Sequence, residues 1–199
     1  MYRAYLEVTV RDRTGKVVRR IRRESKSFVK NFMNILHSLF TGADISIVDT
    51  YGTSRTIPYA FKDVDNYLTE TTVLAPEGND LIGILVGSGT TPPTPDDYSL
   101  ESKIPHGDGD NQLHYYDVVV SNVLISGNEM AIEIERSFDN NGTVDVTVRE
   151  VGLVLEIDYK SGGVYDSAFV LILRDVLDSP VTVLAGGSLT VKYTIKCVT

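Results

Sequence analysis

The sequence predicts an all-β protein, a mainly antiparallel β-sandwich or jelly-roll-like domain with one N-terminal amphipathic helix. Apolar and polar residues alternate with a period of two in several segments, most cleanly in residues 130–138 (MAIEIERSF) and 188–198 (SLTVKYTIKCV). Turn residues separate such segments about every ten residues, a spacing typical of sandwiches and barrels. Because 199 residues are enough for one sizeable core, we expect a single domain over residues 1–199.

Residues 1–42 predict a basic β-hairpin followed by the helix. Residues 2–10 alternate as a half-buried strand, RTG turns the chain, and VVRRIRR returns as a strand with basic side chains. In the next segment, SKSFVKNFMNILHSLFTG, apolar residues recur every three or four positions, which is the pattern of an amphipathic helix. Ser25 or Ser27 is the expected cap at its start, and Gly42 is expected to end it.

After the helix, the chain is predicted to consist of strands and turns. Residues 43–80 mix short strand-like pieces with turn residues. The apolar run 81–87 (LIGILVG) is too short for a buried helix and predicts a core strand. Further strands are predicted at 115–125, 143–157 and 167–176, in addition to the two alternating segments named above.

Residues 140–142 (NNG) predict a hairpin between the strand that ends at Phe138 and the strand that follows. A three-residue hairpin loop favours a left-handed residue at its third position, and Gly142 adopts that conformation readily. The resulting register places Phe138 opposite Val144, so that the apolar faces of the two strands agree.

The strand 143–157 changes the parity of its apolar residues, from even positions in its first half to odd positions in its second. We therefore expect a β-bulge between Glu150 and Gly152. Glu150 falls on the apolar face, where a buried carboxylate needs a partner. If the next strand folds back beside this one, Arg174 comes close, and we predict a structural ion pair between Glu150 and Arg174. A catalytic role for Glu150 is the alternative.

Residues 88–112 predict an extended loop, which we call the arm. Pro92 and Pro93 hold the chain extended and lack backbone donors, which suits a segment lying along another surface. Tyr98 and Leu100 are candidate anchors for that contact. We expect the arm to pack across a sheet edge or onto a neighbouring subunit, the alternative being an ordinary loop on its own domain.

Charge is distributed unevenly along the chain, whose formal net charge is −8. Residues 1–30 contain ten basic and three acidic residues and carry +7, so the remainder carries −15. An asymmetry of this size suggests a partner for each half. We expect Arg19, Arg20, Arg22 and Arg23 to meet acidic surface on a neighbouring subunit. The alternatives are that these arginines contact a packaged genome, or that the hairpin is simply solvated.

No segment carries a recognisable catalytic, cofactor-binding or metal-binding pattern. The glycine-rich stretch 87–91 lacks the lysine of a phosphate loop, and prolines follow where a helix should begin. The loop with Asp108 and Asp110 has some features of a calcium loop but lacks a third spaced ligand and a distal glutamate. The three histidines lie in three contexts, and Cys197 is the only cysteine. We therefore expect no enzyme, no cofactor and no metal, with calcium at the Asp108 loop as an alternative.

Three segments together resemble a known family. They are GILVGSGTTPPTPDDYSLESKI, SFDNNGTVDVTVREVGLVLE and FVLILRDVLDSPVTVLAGGSLTVKYTIKCV. They resemble the loop, strand and closing hairpin of small virion structural proteins of tailed viruses of bacteria and archaea, and SFVKNFMNIL resembles their N-terminal helix. The likeness covers most of the chain apart from residues 43–80.

The resemblance implies a viral structural protein, a self-assembling subunit of a capsid, a tail or another part of the particle. The implied partners are copies of the same chain and other virion proteins, and the implied location is the virion. No apolar run approaches ~20 residues, so we expect neither a secretion signal nor a membrane anchor. The alternatives are a subunit of a non-viral extracellular filament, a nucleic-acid-binding protein that acts through the basic hairpin, and a sugar-binding module.

Overall fold

The computed structural model describes residues 2–25, 27–59 and 63–198. It confirms the predicted fold class, since mainly antiparallel sheets in a sandwich-like arrangement are accompanied by one short helix near the N-terminus. In chain order the elements are β1 (Tyr2–Arg11), β2 (Val17–Ser25), α1 (Lys30–Thr41), β3 (Ile45–Val48), β4 (Ser54–Ile57), β5 (Tyr67–Thr72), β6 (Gly83–Gly87), β7 (His114–Val120), β8 (Leu124–Ser126), β9 (Glu129–Asp139), β10 (Val146–Ser161), β11 (Val164–Val183) and β12 (Ser188–Val198).

Six strands form the larger sheet, in the order β2-β1-β12-β9-β7, with β8 also paired to β9. The alternating pattern of the sequence sets which side chains face the core. Leu6 lies opposite Tyr193 and Val8 opposite Val191, and all four side chains are buried. The polar residues between them point to the other face of the sheet.

The smaller sheet has four strands and is built around the long hairpin of β10 and β11. On the side of β10 away from β11, β5 pairs with one half and β6 with the other. A separate hairpin, β3 and β4, packs beside α1. The buried apolar residues of both sheets belong to one continuous core.

The predicted hairpin between Phe138 and Val144 is wrong, because β9 and β10 lie in different sheets. Phe138 lies opposite Leu189 of β12 and Tyr115 of β7. Gly142 does not adopt a left-handed conformation. Residues 140–145 connect the two sheets instead.

Asn140 stabilises this crossing. Its buried side-chain amide donates hydrogen bonds to the carbonyl groups of Val144 and Val183, both at 2.9 Å. Asn140 was predicted to lie in a hairpin turn, but its side chain satisfies backbone carbonyl groups at the connection between the two sheets.

The predicted bulge between Glu150 and Gly152 is wrong, because these residues pair in regular register with both β11 and β6. The register shifts just before them, between Val148 and Glu150, where the extra residues belong to β11. A second shift, which the sequence did not predict, lies between Leu153 and Val154, where β11 holds one extra residue. Residues 150–154 are buried on both faces of the sheet. An apolar pattern with a period of two cannot persist in a segment covered on both sides.

The helix ends as predicted, at Gly42, whose φ of 69° is left-handed and whose N–H donates to the carbonyl of Ser38. Its predicted start is wrong. The residue before the first turn is Val29, which makes no side-chain cap. Ser25 instead belongs to β2, where its hydroxyl donates to the buried Asp175.

The face that α1 buries is the predicted one only in part, since Phe32 and Ile35 of the apolar pattern pack against the core. Its buried residues are Asn31 and Ser38, and Asn31 exchanges two hydrogen bonds with the backbone of Val48 in β3. Leu39 and Phe40, which the helical pattern assigns to the core, are exposed, Phe40 by 83%. Polar contacts with β3 therefore set the rotation of the helix.

Candidate assembly interface

Glu150 and Arg174 lie side by side in the smaller sheet, as their parity had suggested. The Arg174 Nε and Nη2 atoms are each 2.9 Å from the Glu150 Oε2 atom. The two side chains are 0% and 3% exposed. Nη1 of Arg174 donates to Asp97 of the arm at 2.7 Å. Burial opposes the charge on Arg174, but hydrogen bonds to Asp97 and Glu150 hold its pKa above the ordinary value.

Glu150 also holds the arm through the arm's own backbone. Its carboxylate accepts hydrogen bonds from the N–H groups of Gly89, Glu101 and Ser102, at 3.1, 3.1 and 2.8 Å. A buried carboxylate with one guanidinium and three N–H donors has its oxygens satisfied. The ion pair therefore fastens the arm onto the sheet of its own chain.

A second carboxylate of the arm closes its first turn. Glu101 Oε2 accepts the backbone N–H groups of Thr90 and Thr91 at 2.6 and 2.7 Å. These hydrogen bonds hold the pKa of Glu101 below its ordinary value. The glycine-rich stretch is thus occupied by a carboxylate of the same chain.

The structure corrects the prediction for Leu100, which is only 9% exposed and packs in the core of its own chain. Tyr98 is partly exposed, and its ring faces Gly52 of the β3–β4 turn. Pro93 is half-buried and Pro92 is exposed. Of the four arm residues expected at an interface, only Pro92 and Tyr98 present much surface to a neighbour.

The strand β2, which we call the basic edge, carries four arginines that divide into two groups. Arg23 is held within the chain, by Asp175 at 3.2 Å and by the carbonyl of Val176 at 2.7 Å. Arg20 forms an exposed ion pair with Glu7 at 2.9 Å. Arg19 and Arg22 are exposed and form no ion pair with any described residue. These two are the cations that remain available to a partner.

The opposite border of the six-stranded sheet is apolar. There β7 and β8 follow one another along the same side of β9, joined by residues 121–123, with the N–H of Ser121 bonded to the carbonyl of Glu133. Residues 118–126 (VVVSNVLIS), which we call the apolar edge, contain no charged residue. The exposed apolar side chains of this edge and of the adjoining part of β9 are Val119, Val120, Val123, Leu124, Ile125, Met130 and Ile132.

Carboxylates lie beside the apolar edge on β9. Val119 is the cross-strand neighbour of Glu135, and Glu133 lies two residues further along on the same face. Glu133 pairs with Lys192, whereas Glu135 is exposed and forms no ion pair with the described residues. The border therefore combines an uncharged strand with an acidic flank.

The polar loop of the arm, which contains Asp108 and Asp110, forms hydrogen bonds with other residues of the same chain. Asp108 accepts hydrogen bonds from Asn141 and contacts His114, while Asp110 accepts the N–H and hydroxyl groups of Thr143. Both aspartates have pKa values below the ordinary one, because of the hydrogen bonds from Asn141 and Thr143 respectively. In the described part of the chain, no three histidine, cysteine or acidic side chains are grouped to hold a metal ion.

Sequence reasoning missed two features. The first is the apolar edge, whose only sequence signal is a nine-residue stretch without charge. The second is Arg136, which is 1% exposed and donates to the carbonyls of Asn79 and Ile82 at 2.6 and 3.0 Å. Burial lowers the pKa of Arg136 to about 10. The sequence signal that could have found Arg136 is its parity, since it falls on the same face of the alternating strand as Ile134 and Phe138.

No protein-family model, no curated protein and no solved structure matches this chain. Among the described residues, the single helix is too short to span a membrane.

Proposed function

We propose that this chain is a structural subunit of a virus particle, which self-assembles as part of a capsid, a tail or another component. The observation that carries the assembly role is the apolar edge. The motif resemblance over most of the chain supports the viral setting.

The physical argument starts from the edge strand. A strand at the border of a sheet presents unpaired N–H and C=O groups, and proteins usually protect such borders with charge, proline or a covering segment. Residues 118–126 have neither charge nor proline. Ile125 is 74% exposed and Val119 is 64% exposed. An exposed apolar border is suited to strand addition by a partner, in which backbone hydrogen bonds supply affinity.

Nucleic-acid binding is a second candidate, because Arg19 and Arg22 are exposed and unpaired among the described residues. Such cations neutralise phosphates without reading sequence. However, the segment RDRTGKVVRRIRR contains no aromatic side chain on which a base could stack.

Sedimentation velocity and negative-stain electron microscopy of the purified protein test the assembly role. We expect rings, tubes or shells, or a discrete oligomer, in the absence of nucleic acid. The variant Ile125→Lys should shift the population toward monomers. Val164→Lys is the matched control, since Val164 is also exposed, by 67%, but lies in the β10–β11 hairpin. Monomers at every concentration and salt would contradict the proposal.

The viral setting needs a separate test. Immunogold labelling with antibody against this chain should decorate virus particles released by the cells that carry the gene. Labelling of cell-surface filaments alone would favour the non-viral filament. Loss of DNA binding by Arg19→Glu with normal assembly would favour the nucleic-acid candidate for the basic edge.

A further inference from the structure

We infer that assembly proceeds head to tail, with the basic edge of one copy adding to the apolar edge of the next. The six-stranded sheet would then continue across the boundary between subunits. This inference rests on the proposed function and names the two surfaces that carry it.

The two edges are the two borders of one sheet. Among the described residues, β2 pairs with β1 alone, and β7 and β8 pair with β9 alone. The outer side of β7 is already occupied at Tyr115 and Val118, whose backbone groups bond to Gly78 and Ala75 of the same chain. Beyond Val118, and along β2, the described residues make no backbone hydrogen bond to a further strand, so each border has free backbone groups there. The nine residues of β2 are enough to lie along residues 119–126, of which 119–120 and 124–126 are in strands.

Charge decides which pairing is favourable. Two copies of the basic edge placed together would bring arginines opposite arginines, and like charges directly opposite are destabilising. Two copies of the apolar edge would not repel, but they would leave Arg19 and Arg22 without partners. Joining unlike edges places no charge opposite another charge in the new strand pair. It also brings the +7 segment of one copy toward the acidic remainder of the next.

Particular side chains carry this complementarity. Arg20 and Arg22 lie opposite Thr9 and Glu7 and so occupy the outer face of the sheet. Glu135 lies on the outer face beside Val119. Neighbouring strands are about 4.8 Å apart, so an arginine on the added strand reaches Glu135 across a single intervening strand.

The strand directions predict the geometry of the junction. All pairings in the sheet are antiparallel, so β2, β12 and β7 run in the same direction. A second copy in the same orientation would therefore place its β2 parallel to β7. A contact between two different surfaces is heterologous and builds a ring when the rotation closes, or a filament when it does not.

Cross-linking between single-cysteine subunits tests the inference. In a Cys197→Ser background, one preparation carries Arg22→Cys and another carries Val119→Cys. After co-assembly and treatment with a short bismaleimide, we expect cross-linked dimers in the mixture and none in either preparation alone. Cross-linking of Val119→Cys with itself would overturn the head-to-tail arrangement.

Charge reversal gives an independent test. We expect Arg22→Glu to weaken assembly by roughly tenfold or more, and Glu135→Lys combined with it to restore most of the loss. Arg13→Glu, in the exposed β1–β2 turn, is the matched control for net charge. Far-ultraviolet circular dichroism verifies that each variant is folded. Absence of rescue by Glu135→Lys would overturn the predicted pairing of these two side chains.

The outcomes separate the two proposals. Oligomers that form without the cross-link between positions 22 and 119 would overturn the inference and leave the assembly role in place. Monomers of the unmodified chain under all conditions would overturn both.

Discussion

The arm and the apolar edge differ in whether their apolar side chains are buried or exposed. The arm contains charges and prolines, yet Leu100 is buried and the segment is fastened to its own sheet through Glu150 and Arg174. The apolar edge contains no charge, yet Ile125 and Val119 remain exposed. In this protein, buried charge marks the segment that is bound within the chain, and the lack of charge marks the border at which we propose that a partner binds.

The difference between the two regions arises from the need of buried backbone N–H and C=O groups for hydrogen-bond partners. A loop that covers a sheet face brings N–H groups into a dry environment, where each needs an acceptor. Glu150 supplies acceptors for three N–H groups of the arm, those of Gly89, Glu101 and Ser102. An edge strand has its free N–H and C=O groups in water until a partner arrives, so it needs no internal charge to satisfy them.

The largest expected effect is on the buried ion pair. Replacing Arg174 by methionine keeps much of the length but leaves the fully buried Glu150 without its cation. We expect the free energy of unfolding to fall by about 3–5 kcal/mol, measured by urea denaturation. The control Arg20→Met removes an exposed ion pair and should cost at most about 1 kcal/mol. Equal urea midpoints for Arg174→Met and the unmodified protein would refute the anchoring role.

A smaller loss is expected from crowding beneath the arm. A Cβ atom on Gly87 would lie 2.5 Å from both the Glu150 Oε1 atom and the carbonyl oxygen of Ser102. Gly87→Ala should therefore displace the arm and cost about 1–3 kcal/mol. Limited proteolysis of the arm should also become faster. In Gly162→Ala, the new Cβ meets no heavy atom within 4 Å, and the strain from the φ of +59° is confined to the β10–β11 turn, so cleavage in the arm should be unchanged.

A pH-dependent effect of at most about 1 kcal/mol is expected at His114. Its ring nitrogens lie 2.8 Å from Glu77 and 2.9 Å from Asp108, and the hydrogen bond with Glu77 is the main cause of its raised pKa. A raised histidine pKa gives stability that is complete below about pH 6.5 and lost as the pH rises through the folded-state pKa. His114→Gln should lower the melting temperature at about pH 5.5 and much less at about pH 9.

His37→Gln, a change at an exposed position on α1, is the control for this pH dependence. If His114→Gln lowered the melting temperature equally at both pH values, protonation of His114 would not contribute to holding the loop.

The smallest effect on stability is expected at the apolar edge. Because Ile125 is largely exposed, Ile125→Thr should change the free energy of unfolding by no more than about 0.5 kcal/mol. Dilution experiments by light scattering should nevertheless show weaker association. A large loss of stability with unchanged association would mean that Ile125 supports the fold and not the interface.

Local patterns predicted the strands and the end of the helix, because these depend on neighbours a few residues apart. They did not predict the register shift before Glu150, because its extra residues lie in the partner strand β11. The β9–β10 hairpin was predicted wrongly because pairing with the distant β12 and β7 prevails over a favourable turn sequence. The rotation of α1 was missed because Asn31 bonds to β3, whose position no helical pattern encodes.

The candidate interface was harder to predict than the fold. Alternation shows which face of a strand is buried, but it does not show which strand lies at the border of a sheet. Arg136 illustrates the same limit, since its partners are backbone carbonyls from a loop more than fifty residues away, such as Asn79 and Ile82. Carbonyl groups have no sequence signature.

The pairing of β1 with β12 bears on when a subunit becomes competent to assemble. β12 lies between β1 and β9, so the sheet that carries both edges is completed by residues from opposite ends of the sequence. A nascent chain cannot form this sheet while residues 188–198 are still in the ribosome. Such high contact order also slows folding. The proposed assembly through the two edges would therefore begin only after β12 has joined β1 to β9.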